Sequence, residues 1–299
     1  MISSATSSST RRGIWIALLS AVIFGAHTPA ERAVYADGGS VAPVLVVTIW
    51  ARAFAMGLYC LLKRKALYQS RQDFKQAFIG GSFQIFSTLT LLLSLLYVPA
   101  PVAIVIAFSH TLMLLFFLAW RKEVRLDKIT VATTVMALIG LSCVIDLWHP
   151  QPGGSWIGIA LAFLSAVANA SRMYVYGHQT QARNPAIVGA ETFLLAAPMA
   201  SLILFVAPLH LPSSSTGFAW LGVASCSFAF GTFFFFYGIS LLGSFRYSLF
   251  SKVEPIFTSL FSVWFLGEVL KLQQYMGIFI VIASLVLYQI SEQWRMKRL

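Results

Sequence analysis

Several side chains that carry or can carry charge stand inside long apolar runs: His27, Glu31, Arg32, Arg52, His110, Arg172, Glu191, Lys252 and Glu254. Each such group costs about 2.5–3.5 kcal/mol at the centre of a bilayer, so it is kept for pairing, for function, or because it reaches the interface. His110 leads the set. It is flanked by Ser109 and Thr111, and a neutral imidazole can hydrogen-bond a carboxylate or an ammonium, or titrate near neutral pH. The plainer reading is a buried ring bonded to a neighbouring carbonyl. His27 and Arg172 each follow a stretch of small residues, and Arg172 can draw a carboxylate; its plainer roles are snorkelling or a pair with Glu191. Structural ion pairs are expected for Arg52, Glu191, Lys252 and Glu254, with Glu254 directed to Arg52 or Arg172. Lys252 is expected within snorkelling reach of a span end. Uncharged candidates for solute contact are Gln84, Ser109, Asn169 and Tyr237, with Trp50 and Trp264 as inward-lying rings. Phe233 to Phe236 cover every face of a helix, so periodicity cannot say which of them meet lipid.

Other chemistries are not supported. His27 and Glu31 have a four-residue spacing that suits metal ligands, but Pro29 lies between them and no third ligand is evident, so no metal site is expected. The sequence has no Walker loop, dinucleotide turn, G-x-S-x-G or H-E-x-x-H motif, and neither a cofactor nor an enzyme activity is expected. Cys60, Cys143 and Cys226 are single and scattered.

The elements that must hold these residues are membrane spans. The chain has 299 residues, 58% hydrophobic and 10% charged, against about 25% charged in soluble domains. A span needs about 20 apolar residues. Ten runs qualify, near 13–35, 42–62, 75–97, 100–120, 128–147, 156–177, 185–207, 217–241, 245–266 and 272–291. Hinges are expected at Pro29, Pro101, Pro198 and Pro255. The formal charge of +11 does not point to nucleic acid, because most Lys and Arg gather between alternate spans. Arg11–Arg12, Lys63–Lys65, Arg121–Arg125, Arg183 and Arg295–Arg298 fall on one side, and the loops near 36–42, 98–101, 147–155 and 208–216 carry none. Both termini are therefore expected in the cytoplasm.

The spans repeat. Gly13–Val22 and Gly158–Val167 agree at seven of ten positions with an offset of 145, since 158 − 13 = 145. Glu123–Val124 and Glu268–Val269 recur at the same offset, as do the small-residue ridges Ala17, Ala21, Gly25 and Ala162, Ala166, Ala170. Five spans per half invert the second half relative to the first, the arrangement of transporters with a central pseudo-twofold site. The expected organisation is an all-α integral membrane protein. It has a cytoplasmic tail 1–12, a five-helix repeat 13–146, a linker 147–155, an inverted five-helix repeat 156–292 and a tail 293–299.

These residues resemble the drug/metabolite transporter superfamily, of the ten-span EamA type. The resemblance rests on the Gly-led first helix of each half, on Arg52 in the second span, and on Lys252-Val253-Glu254-Pro255 through Phe265-Leu266-Gly267-Glu268. Among its branches the chain is most similar to bacterial exporters of aromatic amino acids. It departs from the family where Ser109-His110 replaces a Glu-Pro pair in the fourth span. The resemblance implies an inner-membrane exporter of small amphipathic solutes. These are amino acids, aromatic and other neutral, and by extension aromatic cations. They would move by alternating access through a cavity between spans one, three and four and their mates six, eight and nine. The expected partners are a small-molecule solute and membrane lipid, and a monomeric carrier is admitted. Flippases and nucleotide-sugar carriers of the same superfamily are the alternative, but their polyanions call for more cations than Arg172 and Lys252. An integral membrane enzyme on lipid-linked substrates would need carboxylates or histidines clustered at one face.

Overall fold

The computed structural model describes residues 2–124, 126–146, 155–267 and 269–298. Among them there are α-helices and short 3-10 turns but no strand. The expected linker 147–155 lies outside the described residues apart from Ser155, as do Arg125 and Glu268.

Span one is α1 (Ile2–Gly25) followed by α2 (His27–Ala36). The helix breaks at Ala26 because Pro29 has no N–H to give to the carbonyl four residues back, at Gly25. The expected tail 1–12 is thus the first part of α1 and not a separate strand of coil. Spans two and three are α3 (Val41–Leu62) and α4 (Arg71–Ser94). Ser70 and Asp73 form a capping box that starts α4.

Span four is α5 (Ala100–Phe108) and α6 (His110–Trp120), interrupted at Ser109 without any proline there. Ser109 Oγ donates to Ile106 O at 2.6 Å, and His110 Nδ1 meets Ala107 O at 2.9 Å. These side chains engage the carbonyls that a continuous helix would use. Pro101 stands in the first turn of α5, a helix start and not the mid-span kink expected for it. α7 (Lys128–Val144) is capped by Asp127.

In the second half come α8 (Trp156–Ala182), α9 (Pro185–Ser201) and α10 (Ser215–Leu242), each started by a Ser or Asn side chain that accepts from a backbone N–H. Pro198 lies one turn before α9 gives way to a 3-10 turn at Leu202–Phe205. Span nine is α11 (Ser244–Phe250), a 3-10 turn (Ser251–Val253) and α12 (Glu254–Leu266), with Pro255 in the first turn of α12. Pro255 cannot donate to the Ser251 carbonyl, so the helix is broken there. Because 109 + 145 = 254, the break at Ser109 corresponds to the first residue of α12, directly after the 3-10 turn that breaks span nine. α13 (Leu272–Arg298) closes the chain and absorbs the expected C-terminal tail.

Among the described residues, nine helices are long and apolar enough to cross a membrane; the tenth, α7, has 17 residues. At 1.5 Å per residue α7 reaches roughly 25 Å. It lies against α13 so closely that a Cβ on Gly140 or Gly277 would come within 2.8 Å of a backbone nitrogen of the other helix.

The helices pair across the chain more than along it. α7 packs on α13, α3 on α9, α1 on α10, α4 on α8, α3 on α10, and α4 on α9. α1 also packs against the broken span nine, and α8 against the broken span four. Exchanging spans one to five with six to ten maps α7–α13 and α3–α9 onto themselves, and maps the other pairs onto one another. The small-residue ridges form these contacts, with Ala17, Ala21, Ala162 and Ala166 all buried. Hydroxyls add direct bonds: Ser165 Oγ donates to Ser87 O at 2.8 Å between α8 and α4. The outer surface is apolar, with Trp15, Phe54, Trp120, Trp156 and Phe279 exposed as lipid-facing side chains.

Candidate functional site

A central cavity of about 380 Å³ lies among α2, α3, α4, α5, α8, α10 and the broken span nine. Five sequence candidates line it: His27, Gln84, His110, Asn169 and Arg172. So do Arg52 and Glu254, together with Glu31, Thr48, Phe193, Phe228, Tyr247 and Ser251. The lining runs from Arg172 and Tyr247 to Tyr35, Val41 and Leu92, beside the ends of α2 and α4 and the start of α3. That is the face whose loops carry no Lys or Arg near 36–42 and 98–101.

The basic side of the cavity is built from α3, α4 and α8. Arg172 and Asn169 are three apart on α8, so they share a face, and Arg172 Nη2 donates to Asn169 Oδ1 at 2.6 Å. Arg172 Nη1 donates to Gln84 Oε1 across the cavity wall. The Gln84 amide donates in turn to Thr88 Oγ1 at 3.1 Å, which fixes its orientation. Arg172 Nε is buried without a partner.

Arg52 is buried and makes neither an ion pair nor a hydrogen bond among the described residues. Its guanidinium rests on aromatic faces, 3.9 Å from the Phe228 centroid and 5.3 Å from that of Phe193. The ion pair expected for Arg52 is therefore absent. Phe228 and Phe193 sit in the place of a carboxylate.

The acidic side is built on the two breaks. His27 Nδ1 lies 3.5 Å from Glu31 Oε2, one helical turn on, and His27 Nε2 lies 3.6 Å from Glu254 Oε1 at the head of α12. The His27 ring stacks on Phe228 at 4.2 Å. Glu254 thus faces His27 and neither Arg52 nor Arg172. No cluster of three or more metal-ligating residues occurs among the described residues.

His110 lines the cavity, and its Nδ1 must donate to the Ala107 carbonyl, since a carbonyl only accepts. In the neutral ring this leaves Nε2 as an acceptor. Lys252 does not snorkel. It is fully buried, with Nζ 3.1 Å from Phe108 O and 4.3 Å from the Phe108 ring centroid, and it makes no ion pair among the described residues. The broken ends of spans four and nine lie together, so the amine finds a freed carbonyl there instead of the interface.

Three candidates lie elsewhere. Ser109 bonds to its own helix, and Tyr237 packs on Phe233 with ring centroids 4.8 Å apart. Trp264 is 79% exposed on the outer surface, stacked on Phe265. Trp50 is also outward, donating to Ser201 Oγ at 3.0 Å. Of the consecutive phenylalanines, Phe235 lines the cavity and Phe236 is buried against Tyr176.

Glu191 pairs with Arg183 and not Arg172. Two bonds of 2.7 Å join them, and Tyr68 N donates to the same carboxylate at 2.6 Å. Arg183 follows α8, and its bonds to Glu191 hold its guanidinium charged, above the ordinary arginine range. Burial and the Glu191 charge push the Tyr68 phenol up to about 12.

A floor of aromatic rings closes the cavity toward the basic face. Tyr176, Phe235, Phe236 and Tyr247 pack at centroid separations of 4.9–6.0 Å, edge to face except for the tilted Tyr176–Phe236 pair. Tyr247 Oη is bonded to Ser20 Oγ at 2.8 Å. Beyond the floor, a second crevice of about 1020 Å³ is lined by Glu123, His178, Ser244, Arg246, Glu292 and Arg295. Ion pairs cross it, Arg246 to Glu292 and Arg295 to both Glu292 and Asp127.

Residues 156–289, the second half of the chain, match the EamA-like transporter family. A crystal structure of a protein 17% identical in sequence covers 92% of this chain and 97% of its own, with a TM-score of 0.75. That likeness shows the fold. No curated protein matches the chain.

Proposed function

We propose that the protein is a ten-span carrier of two inverted five-helix repeats that exports neutral and aromatic amino acids across the bacterial inner membrane, with both termini cytoplasmic. The EamA-like match of the second half supports a transporter of small solutes over an enzyme. The reciprocal helix pairing and the breaks in spans four and nine support the repeat. A tenth span at α7 is supported by the charge pattern, since it would leave the basic loops and both termini on one face.

The observation that carries the substrate reading is a single cavity holding the buried Arg52, the half-buried Arg172, two carboxylates and several aromatic faces. Arg52 and Arg172 suit an α-carboxylate, Glu31 and Glu254 suit an α-ammonium, and Phe193, Phe228 and Phe235 suit an apolar side chain. The volume of about 380 Å³ falls in the range of small-molecule pockets, about 300–1,000 Å³. The cavity's reach toward the face of uncharged loops, with the aromatic floor intact, supports movement by alternating access.

The test is flux of labelled amino acids in proteoliposomes holding the purified protein, beside empty vesicles. Saturable movement of phenylalanine or another neutral amino acid is expected. Failure of the whole amino-acid panel to move would overturn the substrate assignment.

A further inference from the structure

We propose that His27, Glu31 and Glu254 form a cation-exchange site, holding a proton when the cavity is empty and the ammonium of the solute when it is loaded. Each amino acid moved one way then sends a proton the other way. This rests on the amino-acid reading above and adds its coupling ion.

The geometry suits a protonated ring, and Thr28 Oγ1, 3.4 Å from His27 Nδ1, can accept from the same N–H. Both imidazole nitrogens face a carboxylate oxygen, at 3.5 Å for Glu31 and 3.6 Å for Glu254. Only an imidazolium has a proton on each nitrogen. A neutral ring serves one carboxylate and turns a lone pair toward the other. The site therefore wants one further positive charge, which either a ring proton or a primary ammonium supplies.

Other charged and titratable groups facing the cluster do not remove that demand. Arg52 on α3 rests on the Phe228 ring and makes no ion pair with either carboxylate among the described residues, Arg172 on α8 is engaged by Gln84 and Asn169, and Tyr35 and Tyr247 line the same cavity. Lys252, two residues before Glu254, gives its amine to the Phe108 carbonyl, and α10 presents Phe228 to the ring. An independent sign that a solute belongs here is Arg52, buried beside the cluster with an unpartnered Nε and free to take the carboxylate.

The exchange conserves charge. Two carboxylates and an imidazolium carry a net charge of −1. Two carboxylates, a neutral ring and an ammonium carry the same. On loading, the ammonium N–H bonds form to Glu31 and Glu254, and one His27 N–H bond breaks, its proton passing to water on the open side. No electron transfer is involved. Coupling follows because Glu31 sits on α2 and Glu254 on α12, each just beyond a helix break. Without a cation between them, two carboxylates would be shut beside a neutral ring when the cavity closes, which is strongly unfavourable in a desolvated site. Only the protonated or the loaded carrier reorients.

The experiment measures protons released when solute binds to the full-length protein in weakly buffered detergent solution, with phenylalanine and phenethylamine as probes. About one proton per bound solute is expected, with affinity rising toward higher pH. In H27Q the release and the pH dependence should both vanish, and E31Q, which keeps the ring, should also lose the stoichiometric release. Binding without proton release in the wild type, equal pH dependence in H27Q and the wild type, or no binding of either probe would overturn the exchange site. Phenylalanine binding without release leaves the amino-acid assignment standing while removing this one. Proton release with phenethylamine but no binding of any amino acid does the reverse.

Discussion

Replacing Arg52 with Gln should weaken solute binding while leaving the fold no less stable. Arg52 has five N–H donors, none of them on a protein oxygen among the described residues, and it is held in place by Phe228 and Phe193. A carboxylate that docks there gains a charge-assisted hydrogen bond worth about 1.5–3 kcal/mol. At about 1.4 kcal/mol per decade, its loss should raise Kd for an amino acid by about 10- to 150-fold. Arg172 already has two N–H groups on Gln84 and Asn169, so R172Q should cost less in binding and more in structure. The decarboxylated amine never used the guanidinium, so its Kd should not rise in R52Q. Removing a buried cation that lacks an anion relieves a desolvation cost, so the Tm should hold or increase. Calorimetric titration with phenylalanine and phenethylamine, beside thermal unfolding in the same detergent, reads all of this. Equal loss for both ligands, or a large fall in Tm with phenylalanine binding kept, would show that Arg52 serves the fold and refute the carboxylate assignment.

Glu191→Gln should lower stability by about 1.5–3 kcal/mol, because it removes the two charge-assisted bonds to Arg183 at a buried site while Asp73, 3.2 Å from Arg183, keeps the guanidinium paired; thermal unfolding should show a drop of several degrees. Gly80→Ala would place a Cβ 2.7 Å from the Tyr176 ring, whose hydroxyl donates to Gly80 O, so overpacking of the aromatic floor should cost about 1–3 kcal/mol in the same assay. Asp37, just after α2, accepts from Ser214 N at 2.9 Å and from Ser213 Oγ, and these bonds hold its carboxyl below the ordinary value near 3.9. Its contribution to stability is therefore present above about pH 4 and lost as pH falls through the lowered value. The Tm advantage of the wild type over D37N should be full at neutral pH and vanish in acid. An advantage that is independent of pH would refute the assignment.

The cost of charge in lipid made most of the cavity legible in advance. His27, Gln84, His110, Asn169 and Arg172 were marked by polarity in apolar runs, and they converge on one space. Partners were harder to read, because they depend on where helices break. Lys252 looked close enough to an interface to snorkel, but the 3-10 turn at Ser251–Val253 brings it to a freed carbonyl of span four. Pro29 and Pro255 announced two of the breaks. The break at Ser109 has no proline and arises from side-chain bonds that composition cannot show. Trp264 was misplaced because a helix apolar on every face does not declare its lipid side. Glu31 stands among the charged groups in apolar runs, and its four-residue spacing from His27 places both on one face, but the sequence does not show that Glu254 completes the cluster. Phe228 is marked in the sequence by the repeat, since Ser82–Phe83 and Ser227–Phe228 recur at the same offset of 145.

The pairing of helices across the two halves also bears on how the chain is made. The main neighbours of α1, α3 and α4 are α8, α9, α10 and α12, all of which leave the ribosome later. Until they arrive, Arg52, Gln84 and Ser87 have no cavity wall to lie against, and the early helices must wait in the bilayer with their polar faces hydrated or lipid-covered. Biogenesis should therefore finish in one late, concerted docking of the second five helices onto the first. A nascent chain stopped near residue 146 should be inserted but unfinished, an easy target for membrane quality control.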